Sequence, residues 1–145
     1  MSEGITVDVS EFCKGLEKDV QQMAAGMDRT IRQIGVFMQD QAAGRSPPPI
    51  TGGLRRSITH QESVQNGVYV TEVGTAQEYA PYVEFGTGDR GSASGGYAYK
   101  GHMSDVSYTA GWKGMKAEPY LRPALFDLED MYVGMVKDTL GKAIR

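Results

Sequence analysis

One stripe of apolar side chains constrains this chain more than any other feature. Phe12, Leu16, Val20, Met23, Met27, Ile31, Ile34 and Met38 recur at steps of three or four. That spacing keeps side chains on one face of an α-helix, and it predicts a helix over residues 8–43. Asp8 and Glu11 stand three apart as a capping box, with Val7 and Phe12 in the staple positions around it. Gly44 and the Pro47-Pro48-Pro49 run stop the helix. Gly15, Gly26 and Gly35 each weaken a helix by about 1 kcal/mol relative to Ala, so a kink or a close contact is expected near one of them. The methionines of the stripe read as core rather than as an adaptable binding surface.

Beyond the prolines the pattern changes. Thr51 can cap a short helical turn through Leu54 and Arg55. Segments Ser57–Ser63 and Gly67–Gly74 flank Asn66-Gly67, a strong hairpin signal, and predict a β-hairpin over 57–74. Val68, Val70 and Ile58 are expected on one face, and Tyr69, Thr71 and Val73 on the other. Residues 76–85 read as a short helix or turn broken at Pro81. Residues 86–118 are rich in Gly, Ser and Asp, with isolated aromatics at Tyr97, Tyr99, Tyr108 and Trp112. A connection of that length is usually functional, and it reads as an extended arm that orders against something. A further strand or strands is expected before the last helix, over 120–143, with Pro123 in its first turn and the stripe Leu121, Leu125, Leu128, Tyr132, Met135 or Val136, and Leu140. The whole is one α+β domain over 1–145, its two helices packed on a small antiparallel sheet.

Composition excludes several functions. A chain of 145 residues supports one core, and its net charge of −3 argues against a dedicated nucleic-acid binder. The single cysteine, Cys13, permits neither an intrachain disulfide nor a cysteine-based zinc cluster, and it reads as a small buried apolar residue. No apolar run reaches the 18 residues of a membrane span. Met1-Ser2-Glu3-Gly4 lacks the basic and apolar regions of a signal peptide, so synthesis and assembly are expected in the host cytoplasm.

Candidate chemistry is sparse. Gly86-Thr87-Gly88-Asp89-Arg90-Gly91 resembles a phosphate loop only superficially, because no Lys-Ser/Thr pair opens a helix after it. Ser57 and His60 fall on opposite strand faces, so they cannot act as nucleophile and base. His102 and Asp105 are too few for a metal site. No cofactor and no catalytic residue is expected. The cluster of Arg55 and Arg56, with Arg45, suits a salt bridge to another subunit better than DNA phosphates. Glu84 lies between Val83 and Phe85 before Gly-Thr-Gly. A carboxylate there either faces solvent or takes hydrogen bonds, and Arg122 is a candidate partner that would tie two distant segments together.

Three motifs in order carry a resemblance. Pro49-x-Thr51-Gly52-x-Leu54-Arg55-x-Ser57-Ile58 follows the long helix. Tyr79-Ala80-Pro81-Tyr82-Val83-Glu84-Phe85-Gly86-Thr87-Gly88 precedes the variable loop. Pro119-Tyr120-Leu121-Arg122-Pro123-Ala124-Leu125 opens the last helix. The arrangement resembles the tail-completion, or head–tail joining, family of long-tailed double-stranded-DNA bacteriophages and prophages. The resemblance implies a non-enzymatic virion protein without cofactors. It would form a homo-oligomeric ring of six copies at the neck, between head connector proteins and the tail tube or its terminator, with DNA passing through without sequence-specific binding. The insertion-like stretch Asp89–Lys116 departs from the family pattern. Residues expected at assembly contacts are Arg55, Arg56, Glu84, Tyr97, Tyr99, Tyr108, Trp112 and Arg122. Competing readings are a tail terminator or head-closure protein of the same particle, a nucleic-acid-binding module, and a small hydrolase using Cys13 or His60.

Overall fold

The computed structural model describes residues 5–48, 52–94 and 106–143. The long stripe forms α1, Ser10–Arg45. Its residues recur in steps of four, four and three, an eleven-residue repeat. At 3.67 residues per turn that repeat almost matches the helix, so the stripe runs nearly straight along the axis. The helix begins two residues later than expected. Val9 occupies the N-cap position and no side chain caps it. Asp8 Oδ1 instead accepts the Ser10 N–H at 2.9 Å. Val7 and Phe12 are exposed, so the staple does not form. Gly44 is inside the last turn, and the helix stops at Ser46, whose hydroxyl donates to the Ala43 carbonyl at 2.7 Å.

A short helix α2, Gly53–Ser57, follows from Gly52, which holds φ 67° at its N-cap. Thr51, expected there, lies outside the described residues. Strands β1, Thr59–Gln65, and β2, Val68–Gly74, pair antiparallel from Gln65↔Val68 to Thr59↔Gly74. Asn66 and Gly67 both have positive φ, which fits a type I′ turn. The register puts His60 opposite Val73 and Glu62 opposite Thr71. These four share the face against α1, and Ile58 joins the core with Val73 rather than the side of Val68 and Val70.

Three more corrections come from the second half of the chain. Pro81 sits in the first turn of α3, Ala80–Phe85, and starts that helix instead of breaking it. Among the described residues, the expected further strand is a single bridge, Thr87↔Met115, beside the short helix α4, Gly88–Ala93. The final helix is two helices, α5, Leu121–Phe126, and α6, Glu129–Ala143. At the break, the Ala124 carbonyl accepts the Tyr132 hydroxyl at 2.6 Å, a position that an unbroken helix reserves for the Leu128 N–H.

The architecture is α+β, with α1 and α6 and a two-stranded antiparallel sheet. Helix α6 runs antiparallel to α1: the Phe37 and Tyr132 rings meet edge to face at 6.3 Å, and Thr30 bonds Thr139 at 2.5 Å. The core lies entirely on the second half of α1. Ile34, Met38 and Ala42 pack with Leu54, Ile58, Ala80, Tyr120, Ala124 and Tyr132. Each large side chain fully buried there contributes about 1.5–3 kcal/mol. Two glycines of α1 mark close approaches. Gly26 lies against Thr139 of α6, and Gly35 lies beneath the sheet.

Residues 10–22 of α1 are exposed on every face. Helix α6 ends at Ala143, beside Gln22 and Gly26, so this part of α1 projects about 18 Å beyond it at 1.5 Å per residue. Phe12, Leu16 and Val20, expected in the core, are therefore in solvent, and Cys13 is exposed rather than buried.

A Cβ at Gly35 would stand 2.5 Å from Thr71 Oγ1 and 3.0 Å from His60 Cδ2. These are side-chain atoms of the sheet, so Thr71 must turn away and His60 and Glu62 must shift in a face packed on α1. Gly35→Ala is expected to destabilise the fold by about 1–3 kcal/mol, read as a lower denaturation midpoint with unchanged helix content.

Candidate functional site

The chain turns its sharpest corner around one carboxylate. Glu84, on α3, is 3% exposed. Its Oε2 accepts the N–H groups of Tyr120 at 2.7 Å and Leu121 at 3.0 Å. Its Oε1 accepts the Arg122 N–H at 3.1 Å and the Arg122 Nε at 2.8 Å. The first turn of α5 has no capping side chain of its own. Glu84 supplies that cap from 36 residues away in sequence and adds the charge that a helix N-terminus favours. The Arg122 guanidinium stacks 4.4 Å from the centre of the Phe85 ring, and its Nη2 reaches the Glu84 carbonyl at 3.4 Å. The buried anion thus meets a paired cation and three backbone donors, the condition under which a buried charge is tolerated.

Segment 86–118 leaves and returns at this corner. Thr87 N–H donates to the Met115 carbonyl at 2.8 Å, and Met115 N–H returns a bond to Thr87 at 3.0 Å. The first N–H groups of α4, on Asp89 and Arg90, donate to the carbonyls of Trp112 and Lys113 at 2.8 and 3.1 Å. Glu118 N–H donates to the Val83 carbonyl at 2.8 Å. Gly88 and Gly114 make this zipper possible. Both hold φ near +60°, and a side chain on either would collide with the facing backbone. Residues 86–94 and 106–118 are therefore seated on the body, not extended from it.

The expected assembly residues separate into groups. Glu84 and Arg122 meet. Tyr108 is half-buried, and its hydroxyl donates to the Phe85 carbonyl at 2.8 Å. Trp112 is 55% exposed on the returning segment. Arg55 and Arg56 are exposed on α2, and Arg55 reaches the Ser46 carbonyl at 3.4 Å. Tyr97, Tyr99, His102 and Asp105 lie outside the described residues. His60 is occupied by Gln39 at Nδ1 and by Glu62 at Nε2, the latter at 3.1 Å. Among the described residues no His, Cys, Asp and Glu side chains gather to hold a metal ion, and no helix is long and apolar enough to cross a membrane.

Sequence reasoning missed two features. One is the projecting half of α1, which a comparison of helix lengths would have exposed: α1 has 36 residues and α6 only 15. The other is Tyr120, fully buried, whose hydroxyl has no protein partner. Burial, then the Glu84 charge, then Tyr79 push its phenol up to about 12.

The sequence matches a family model described as "Bacteriophage HK97-gp10, putative tail-component" over residues 10–86, just over half of the chain. The chain belongs to this family of phage tail components. As such it is a component of the virion that contacts other virion proteins. The matched stretch runs from the start of α1 to Gly86, where segment 86–118 departs. No curated protein and no solved structure matches significantly.

Glu84 and Arg122 should differ in their importance to stability. Glu84→Ala strips the cap from α5 and takes from the Arg122 guanidinium its buried carboxylate, with an expected loss of about 3–5 kcal/mol. Arg122→Met leaves three backbone donors on the carboxylate and should cost less. Denaturant unfolding of both variants checks the order.

Tyr120→Phe removes a buried hydroxyl without a protein partner and is expected to raise stability by about 1 kcal/mol. Because the folded phenol titrates near 12 rather than near 10, the native state holds this proton more tightly than the unfolded chain does. Its stabilising effect is complete below pH about 10 and is lost as pH rises toward 12. Unfolding curves across that window should fall more steeply for the wild type than for Tyr120→Phe.

Proposed function

We propose that this chain is a non-enzymatic subunit of a hexameric ring at the head–tail interface of a tailed phage. The ring lies between head connector proteins and the tail tube or its terminator, and double-stranded DNA passes through its centre without sequence-specific contacts. Membership in the tail-component family carries this reading. The shape supports it. A small body bears a projecting helix whose apolar face is exposed at Phe12, Leu16 and Val20 and has no partner among the described residues, as expected of a subunit completed by neighbours. A ring is built from heterologous contacts, in which two different surfaces of one copy meet those of the next. The net charge of −3 suits a channel that must release DNA, since a basic wall would hold phosphates.

A hydrolase that paired Cys13 with His60 fits poorly. Cys13 is on the projecting part of α1, whereas His60 packs at the level of Gly35. Twenty-two helical residues separate those levels, about 33 Å.

The test is electron microscopy of purified particles carrying a label at the C-terminus of this chain. Density in sixfold register at the neck is the expected result. A label on the tail tip or the capsid shell would end the proposal.

A further inference from the structure

The projecting half of α1 has a defined chemistry. Phe12, Leu16 and Val20 are 66%, 49% and 62% exposed, and Cys13 lies beside them. At 100° per residue, Glu17 borders one edge of this strip and Asp19 the other, while Lys14 and Lys18 fall on the back of the helix. Lys14 pairs there with Glu11 at 3.7 Å. The strip is thus apolar along its centre and acidic along both edges. Two copies of it pairing with each other would bring carboxylates together, which is unfavourable in either orientation.

The complementary surface is on the zipper at the opposite end of the molecule. Trp112 and Met115 are 55% and 45% exposed there. Beside them is a shallow cleft of about 450 Å³, lined among the described residues by Arg90, Ala93, Ser94 and Lys116. Lys113, also exposed, adjoins Trp112. This surface is apolar at its centre, and three cations, Arg90, Lys113 and Lys116, outnumber the one carboxylate beside Trp112 among the described residues, Asp89, which already accepts the Gly111 N–H at 3.2 Å. The body that carries it packs against the second half of α1, around Ala42. Leu16 is 26 residues away along the helix, about 39 Å, so one copy cannot satisfy its own strip.

We propose that the projecting half of α1 of one copy packs on the Trp112–Met115 surface of the next copy, its Glu17 and Asp19 facing Arg90, Lys113 and Lys116. The contact is heterologous and repeats from copy to copy, as closure into a ring requires. It rests on the ring reading above and names the surfaces that ring would use.

A carbodiimide, which joins carboxylates to amines without a spacer, tests it on the purified chain and on purified particles. Peptide mass spectrometry is expected to find Glu17 or Asp19 joined to Lys113 or Lys116 of another copy. Absence of every such link from both samples overturns the proposal. Leu16→Asp and Trp112→Ala should each weaken self-association at least tenfold without changing the circular dichroism spectrum. Each variant keeps the surface the other lacks, so a mixture should form one-to-one dimers. If Trp112→Ala associates like the wild type while Leu16→Asp does not, the helices pair with each other and the proposal fails. A neck ring seen by microscopy in particles that give no link removes this contact alone. No neck signal removes the ring reading itself.

Discussion

The buried Glu84 carboxylate is the interaction on which the second half of the fold depends. Without it, the first turn of α5 would present uncapped N–H groups to the protein interior, and the Arg122 guanidinium would lose the carboxylate that its Nε bonds at 2.8 Å. Helix α5 places Ala124 in the core and offers the carbonyl that Tyr132 takes, which sets where α6 begins. Helix α6 in turn covers α1 as far as Gly26. One carboxylate on a six-residue helix thereby fixes the path of the chain from 120 to 143. The same corner anchors the zipper between 86–94 and 106–118, because Val83 and Phe85, the neighbours of Glu84, supply carbonyls to Glu118 and Tyr108.

The stripe on α1 serves two purposes along one face. Its eleven-residue repeat keeps Phe12 in line with Met23 and Ile34, and Leu16 in line with Met27 and Met38. Where α6 and the sheet lie against that face it becomes core. Where they end, the same face meets solvent. Apolar burial drives folding in the second half of the helix, and the first half leaves its apolar surface exposed. A helix that continued without its stripe would project equally far, but it would carry nothing to bury.

Much of this was legible in the sequence, for physical reasons that differ from place to place. The long helix, the Asn66-Gly67 turn and the α+β class follow from periodicity and local turn chemistry, which need no tertiary information. The pairing of Glu84 with Arg122 could be anticipated because a carboxylate among Val83 and Phe85 needs a partner. The fate of Phe12, Cys13 and Leu16 could not be read from spacing, since periodicity reveals an apolar face but not what lies against it. The seating of 86–94 and 106–118 was hidden for a similar reason. Glycines at 88 and 114 look like flexibility in one dimension. In three dimensions they are the places where two backbones come too close for a side chain. The break before α6 depends on a hydroxyl eight residues beyond Ala124, which no propensity scale contains.

The distribution of charge around the two exposed apolar surfaces carries more meaning than the net value. A chain of −3 overall could scatter its carboxylates uniformly and gain solubility alone. Here Glu17 and Asp19 edge the apolar strip on the helix, and Arg90 and Lys116 flank the cleft near Trp112. Like edges repel helix from helix and zipper from zipper, whereas unlike edges leave the head-to-tail pairing open. Specificity of this kind comes as much from the wrong pairings it penalises as from the right one it favours. The rim charges would chiefly govern orientation and the rate of encounter, while Phe12, Leu16 and Trp112 would supply the buried area that holds the contact closed.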